Sequence, residues 1–178
     1  PLYGGMPVRS EEARSAFAKF AAAAAARYKG KGVVWEIWNE PNHPHFWPPK
    51  PDIFEYMKLV IDAAAAIRVA DPTAYIIAPS VNRMDFGFLS ECIKLGLLRH
   101  VDAVSVHPYR DDQPEMAVDE LVRLQYLIAE SSPQKQIPVV VSEWGYTLLQ
   151  PGVTEAYQAG YLQRLFLVTA MAGVEFTV

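Results

Sequence analysis

The strongest constraint on the fold of this chain is an alternation. Short runs rich in β-branched and other apolar residues, at 33–38, 75–78, 101–106, 139–142 and 174–178, are separated by segments with a helical apolar period. Parallel strands cannot be joined by tight turns; they need crossovers of a dozen or more residues, usually helices. A chain written as strand, helix, strand, helix therefore predicts a parallel sheet covered by helices. The run Val139-Val140-Val141 is continuously apolar, as strands buried on both faces are.

The helices carry their own start and stop signals. Ser10, followed by Glu11 and Glu12, opens a first helix predicted to turn Phe17, Phe20, Ala24 and Tyr28 inward, and Gly30 and Gly32 end it. Asp52 opens a second, with Ile53, Met57, Val60, Ile61, Ala64 and Ile67 inward and a stop at Asp71-Pro72. A third is predicted near 88–98 and a fourth from about 114 to 130. Thr154 opens the last, which carries Tyr157, Tyr161, Leu165 and Val168. No linker or break in composition divides this order, so residues 1–178 are predicted to form a single domain.

Such alternation suits either a doubly wound sheet or a (β/α)8 barrel. Doubly wound nucleotide-binding sheets carry a glycine-rich phosphate loop after a strand, and no strand here is followed by one. Polar residues gather instead at the C-terminal ends of the strands: Asn39 and Glu40, Asn82, His107 and Tyr109, Glu143. Barrel active sites are assembled at that end, from several strands at once. The expected fold class is α/β, a partial (β/α)8 TIM barrel.

Composition removes several functions. Net charge is −4 with the basic residues scattered, which argues against nucleic acid as a partner. No apolar run approaches the roughly 18 residues that read as a membrane-spanning helix, so no membrane partner is expected. The single Cys92 excludes an internal disulfide and a cysteine-based zinc site. His43 and His45 flank Pro44 with no third ligand nearby, so neither a metal nor a cofactor is expected. No targeting pattern is visible from Pro1 onward, and no localisation is assigned.

What remains to be explained is a pair of acids. The stretch WEIWNEPN, residues 35–42, ends an apolar strand on Glu40. A lone buried carboxylate costs several kcal/mol unless it is paired or neutral. The stretch VVVSEWGY, residues 139–146, repeats the arrangement with Glu143. Two acids that end two parallel strands of one sheet face the same mouth. Glycoside hydrolysis needs such a pair, one carboxyl to protonate the leaving oxygen and one to attack the anomeric carbon. Glu36 alternates with Trp35 and Ile37 and is expected to point into the barrel in an ion-pair role. Phe46 and Trp47 suit either a sugar-stacking platform or loop packing, and Trp38 and Trp144 suit either burial or substrate contact.

Trp38-Asn39-Glu40-Pro41 and Ser142-Glu143-Trp144-Gly145, three strands apart, resemble the clan A glycoside hydrolases, closest to families 5 and 39. That resemblance implies a barrel whose strand 4 ends on an acid/base, Glu40, and whose strand 7 ends on a nucleophile, Glu143. It further implies that Asn39 bonds the sugar 2-hydroxyl and that His107 or Tyr109 orients or donates to Glu143. Trp47 and Trp144 complete the expected contacts with a carbohydrate substrate. Retention of anomeric configuration implies carboxyl groups roughly 5–5.5 Å apart.

With residues 33–38 as strand 4, the chain accounts for strands 4–8 and helices 3–7, and Pro1 to Gly5 reads as the loop after a third strand. Strand edges at 33–38 and 174–178 are then expected to be open, which predicts self-association as a homodimer. The rival expectation is a non-catalytic carbohydrate-binding or structural half-barrel that self-associates.

Overall fold

The structure, a computed structural model, describes residues 8–149 and 152–178; the loop expected at Pro1 to Gly5 lies outside them. Helix α1 (Glu11–Tyr28) begins where Ser10 accepts a hydrogen bond from the Ala13 amide. Its inward face is rotated from the expected one. Ala21 and Ala25 are buried and Phe17 half-buried, whereas Phe20 and Tyr28 are exposed. The small alanines let α1 lie close against helix α2 (Ile53–Ala70), and the large rings are pushed to the flank. In α2, Asp52 accepts from the Glu55 amide, and Met57, Val60, Ala64 and Ile67 are buried as expected. Ile61 instead faces out.

Four parallel strands follow one another in the sheet: β1 (Val34–Glu36), β2 (Tyr75–Asn82), β3 (Ala103–His107) and β4 (Val139–Val141). Strand β1 is shorter than predicted. Strand β2 is longer, because it continues past Pro79 through a bulge. Proline has no N–H for the ladder, and the register slips between Pro79 and Val81. The Ser80 amide turns instead to the Ser105 hydroxyl. Residues 174–178 do not form a regular strand, but they continue the sheet beyond β4. Val141 bridges Thr177 in parallel, and the Glu175 and Val178 amides donate to the Val139 and Val141 carbonyls.

Helices α3 (Phe86–Lys94), α4 (Val118–Ser131) and α5 (Glu155–Met171) complete the crossovers. Helix α3 stops short of the predicted 98 because Gly96 adopts φ +95° and a separate 3-10 turn follows at Leu97–Arg99. The first turn of the predicted fourth helix is likewise 3-10, at Pro114–Ala117. Strands β3 and β4 are buried throughout. Ile76, Val104, Val106, Val139 and Val141 belong to the large core under the helices. Ile77, Ala103 and Val140 form a second, smaller cluster with Tyr75 and Phe176, on the concave side. The result is an α/β fold in which a parallel sheet is backed by helices, one arc of a barrel wall.

Candidate active site

The period of two along a strand builds the site. Glu36 pairs in register with Ile77, Ile77 with Ala103, and Ser105 with Val140. Ile77, Ala103 and Val140 form the concave-side cluster. Continuing two residues at a time toward the C-terminal ends, the same face carries Ser105, His107 and Ser142. Glu36 joins them from β1, and its Oε1 accepts a hydrogen bond from the Ser142 hydroxyl at 2.6 Å, across the barrel interior.

Glu40 lies beyond the end of β1, in a backbone bent sharply to deliver it. Trp38 and Glu40 both adopt positive φ, +71° and +43°, as do Ser80 and Arg83 near the end of β2, at +51° and +60°. Among the described residues these four are the non-glycine positions in that region of φ, and each is disfavoured there by contact between Cβ and the backbone. Local strain of this kind collects at functional sites. Hydrogen bonds hold the bend in place. The Glu40 amide donates to the Ser80 carbonyl at 3.1 Å, and the Ser80 hydroxyl donates to the Trp38 carbonyl at 3.0 Å. The Glu40 side chain is buried, and Oε1 accepts from Asn82 Nδ2 at 2.9 Å.

His107, at the end of β3, is fully buried, and its Nδ1 lies 3.2 Å from Glu40 Oε1 and 3.8 Å from Glu143 Oε2. Its other nitrogen, Nε2, has no hydrogen-bond partner among the described residues and faces Glu36 Oε2 at 4.0 Å. Burial alone would lower the imidazole pKa, but the attraction of Glu36, Glu40 and Glu143 outweighs it and raises the pKa above the ordinary value. Glu143, just past β4, is half-exposed and accepts from the Tyr109 hydroxyl at 2.6 Å. Burial and that bond push the Tyr109 phenol above the usual tyrosine range.

The structure thus brings Glu40, Glu143, His107 and Tyr109 together. Asn39 is half-buried beside them, with no side-chain hydrogen bond among the described residues. Trp144 is nearly buried, its ring under the Arg110 guanidinium at 5.6 Å. Trp47 needs a correction. It has no exposed surface and stands edge-on to Trp38 and Tyr56, at 5.7 and 5.8 Å between ring centres. The loop folds back over the helix side of β1, so this ring is core and offers no platform to a sugar. His43 and His45 are exposed, and among the described residues no set of three or more His, Cys, Asp or Glu is placed to hold a metal.

Two residues escaped the sequence reading as members of the site. Asn82 stood out only as a polar strand end, yet it is the direct donor to Glu40. Asn42 locks Asn82 in turn: its Oδ1 accepts from the Asn82 amide at 2.8 Å and its Nδ2 donates to the Asn82 carbonyl at 3.0 Å. An open cleft of about 450 Å³ borders this pair and continues past Arg83, Tyr109 and Arg110.

A parallel βα array with two glutamates converging on one histidine at the strand ends defines the class: an α/β chain of the glycosidase barrel type. The family model for Cellulase (glycosyl hydrolase family 5) matches residues 3–173, and the chain belongs to that family. The beta-xylosidase of Geobacillus stearothermophilus is 25% identical over 153 residues, which cover 74% of this chain and 30% of that protein. This chain therefore spans under a third of the length of that curated relative. Among solved structures, a glucosidase from Croceicoccus marinus superposes with a TM-score of 0.77 at 15% identity, over 97% of this chain and 38% of its own. A GH39 beta-xylosidase from Caulobacter crescentus gives 0.70 at 24% identity, over 93% and 38%. Both likenesses are in the fold.

Proposed function

We propose that this chain carries the acid pair of a retaining glycoside hydrolase, with Glu40 as acid/base and Glu143 as nucleophile acting on an O-glycosyl bond of a carbohydrate. The observation that carries this reading is the shared histidine nitrogen, 3.2 Å from one carboxylate and 3.8 Å from the other. Two oxygens so placed are at most about 7 Å apart, which admits the roughly 5–5.5 Å of retaining enzymes and leaves out most of the inverting range.

In the first step a Glu143 oxygen attacks the anomeric carbon while Glu40 gives its proton to the glycosidic oxygen, so the leaving sugar departs as an alcohol. In the second step Glu40 takes a proton from water, the water oxygen attacks the anomeric carbon, and Glu143 is released as carboxylate. The Tyr109 hydroxyl occupies Oε1 of Glu143, which leaves Oε2 for attack. The side-chain amide of Asn39 has no hydrogen-bond partner among the described residues and is the candidate donor to the sugar 2-hydroxyl.

The test is turnover of aryl glycosides by the wild type, Glu143→Ala and Glu40→Ala, with the anomer of the first-formed product read by NMR. Wild-type turnover with retention is expected, and loss of at least about 10³-fold in Glu143→Ala. Activity that survives Glu143→Ala refutes the assigned nucleophile. A second reading, a carbohydrate-binding half-barrel without catalysis, is favoured by the exposure of the Glu143 side chain, which is 52% accessible and so keeps much of its hydration. Binding of sugars with no turnover of any aryl glycoside would establish it.

A further inference from the structure

The residue left without a role by this mechanism is Glu36. It sits on the concave face of β1, below the two acids, and reaches His107 from the side opposite to them. One carboxylate oxygen is committed, since Oε1 accepts the Ser142 hydroxyl at 2.6 Å. The other, Oε2, faces His107 Nε2 at 4.0 Å, and that nitrogen is buried with no hydrogen-bond partner among the described residues. The remaining groups around the ring are Glu40 and Glu143 near Nδ1, with Tyr109 bonded to Glu143 and the neutral Asn82 bonded to Glu40.

We propose that Glu36 is a positioning residue for His107: its carboxylate fixes a proton on Nε2, so that Nδ1 is the nitrogen that titrates facing Glu40 and Glu143. A buried N–H wants an acceptor, and the one that Nε2 faces among the described residues is the Glu36 carboxylate at 4.0 Å, an anion. A proton on Nε2 leaves Nδ1 to alternate between lone pair and N–H. In the first form it accepts from a protonated carboxyl; in the second it donates to an ionised one. A single nitrogen beside both acids can then follow their changes of charge through two displacement steps. Ser142, the residue just past strand β4, makes the arrangement rigid by holding the far oxygen of Glu36. The attraction of Glu36 also contributes to the elevated titration of His107.

This inference rests on the proposed two-glutamate mechanism for its purpose, but its physical content is testable without turnover. The experiment is a long-range proton–nitrogen NMR titration of His107 in the wild type, Glu36→Gln, Glu36→Ala and Ser142→Ala, with thermal melts alongside. In the wild type the neutral ring is expected to carry its proton on Nε2. In Glu36→Gln the charge is lost and the acceptor kept, so the titration moves to lower pH with the tautomer retained. In Glu36→Ala the titration moves likewise and the Nε2–H preference is lost. Ser142→Ala is expected to shift the titration in the same direction by less, which covers the case in which the Glu36 variants do not fold. Unchanged titration and tautomer in the folded variants would overturn the proposal, whatever happens to their melting temperature. If the wild type turns over aryl glycosides, Glu36→Gln is expected to lower kcat about tenfold with KM little changed and to move one limb of the pH profile. A wild type without turnover would sink the catalytic reading, while the NMR result would still decide the role of Glu36.

Discussion

Asn82 Nδ2 donates to Glu40 Oε1 at 2.9 Å, the same oxygen that His107 Nδ1 approaches at 3.2 Å. The carboxylate is buried, so these two contacts replace the water it gave up on folding. Removing the amide leaves that oxygen with the histidine alone. Asn82→Ala is expected to cost about 1–3 kcal/mol of stability in urea titrations. If the wild type turns over aryl glycosides, the same substitution should lower kcat by about 10–100-fold, because Glu40 would no longer be held in line with Glu143. Asn82→Asp places a second anion beside Glu40 and is expected to be worse on both measures. Equal activity in Asn82→Ala and the wild type would show that the bond does not orient the acid.

His107 gives the protein a stability that depends on pH. Burial opposes its charge, but the three surrounding carboxylates hold the folded-state pKa above the ordinary histidine value. A group with a raised pKa in the folded state stabilises fully below its unfolded pKa and loses that stabilisation as pH rises through the folded one. The expected decline therefore starts near pH 6.5, about the unfolded value, and is complete above the raised one. Urea midpoints across that window should fall in the wild type and fall less steeply in His107→Gln. Parallel profiles for the two proteins would assign the pH dependence elsewhere.

Backbone strain around Glu40 offers a test by glycine. Arg83 adopts φ +60°, and its side chain meets Asp111 in a pair exposed on both sides. Exposed pairs contribute little to stability. The left-handed conformation costs a non-glycine residue on the order of 1–2 kcal/mol. Glycine relieves that cost but brings a larger unfolded-state entropy of its own, roughly 0.5–1 kcal/mol. Arg83→Gly is thus expected to be neutral or slightly stabilising, and Arg83→Val, branched at Cβ, to be destabilised by at least about 1 kcal/mol. Thermal melts of the pair decide it, with the reverse order counting against strain at this position.

The parts of this architecture that were legible in the sequence are those written in local chemistry. Ser10, Asp52 and Thr154 each cap the helix they precede, because a cap is a contact between residues three apart. The alternation of runs foretold the parallel sheet, and acids closing apolar strands pointed to Glu40 and Glu143. The illegible parts depend on residues far apart in the chain. Which face of α1 is buried was settled by α2, whose close approach selects Ala21 and Ala25 over Phe20. The Asn42–Asn82 interlock joins positions 40 residues apart, and no spacing rule links an asparagine in a loop to one at the end of another strand. Trp47 was ambiguous for the same reason: an aromatic ring in a proline-rich loop serves a core or a ligand, and only the path of the loop decides.

Among the described residues, strand β1 has a neighbouring strand on one side only. Among the described residues it pairs with β2 through Val34, Trp35 and Glu36, and its other edge meets no strand. An edge unpaired among the described residues, with Val34 exposed, is a template for a strand of another molecule. We propose that two copies of this chain associate through it. Light scattering at micromolar concentration is expected to give twice the monomer mass, and Val34→Lys, which places a charge on the edge, to shift the mass toward the monomer. A monomer at that concentration refutes the proposal.

Trp47 separates core from cleft by experiment. Its ring is wholly buried between Trp38 and Tyr56, and the Tyr56 hydroxyl donates to the Ile37 carbonyl at 3.0 Å, so this cluster fastens the loop that follows β1. Trp47→Ala removes the ring from a close-packed site and is expected to cost roughly 3–5 kcal/mol. Trp47→Phe should cost less, since the indole N–H has no hydrogen-bond partner among the described residues and its removal relieves a buried unpaired donor. Urea titrations measure both. Sugar affinity, read by calorimetry on Trp47→Phe under conditions where it is folded, should equal that of the wild type. Affinity lost without a matching loss of stability would return this ring to the substrate-binding surface.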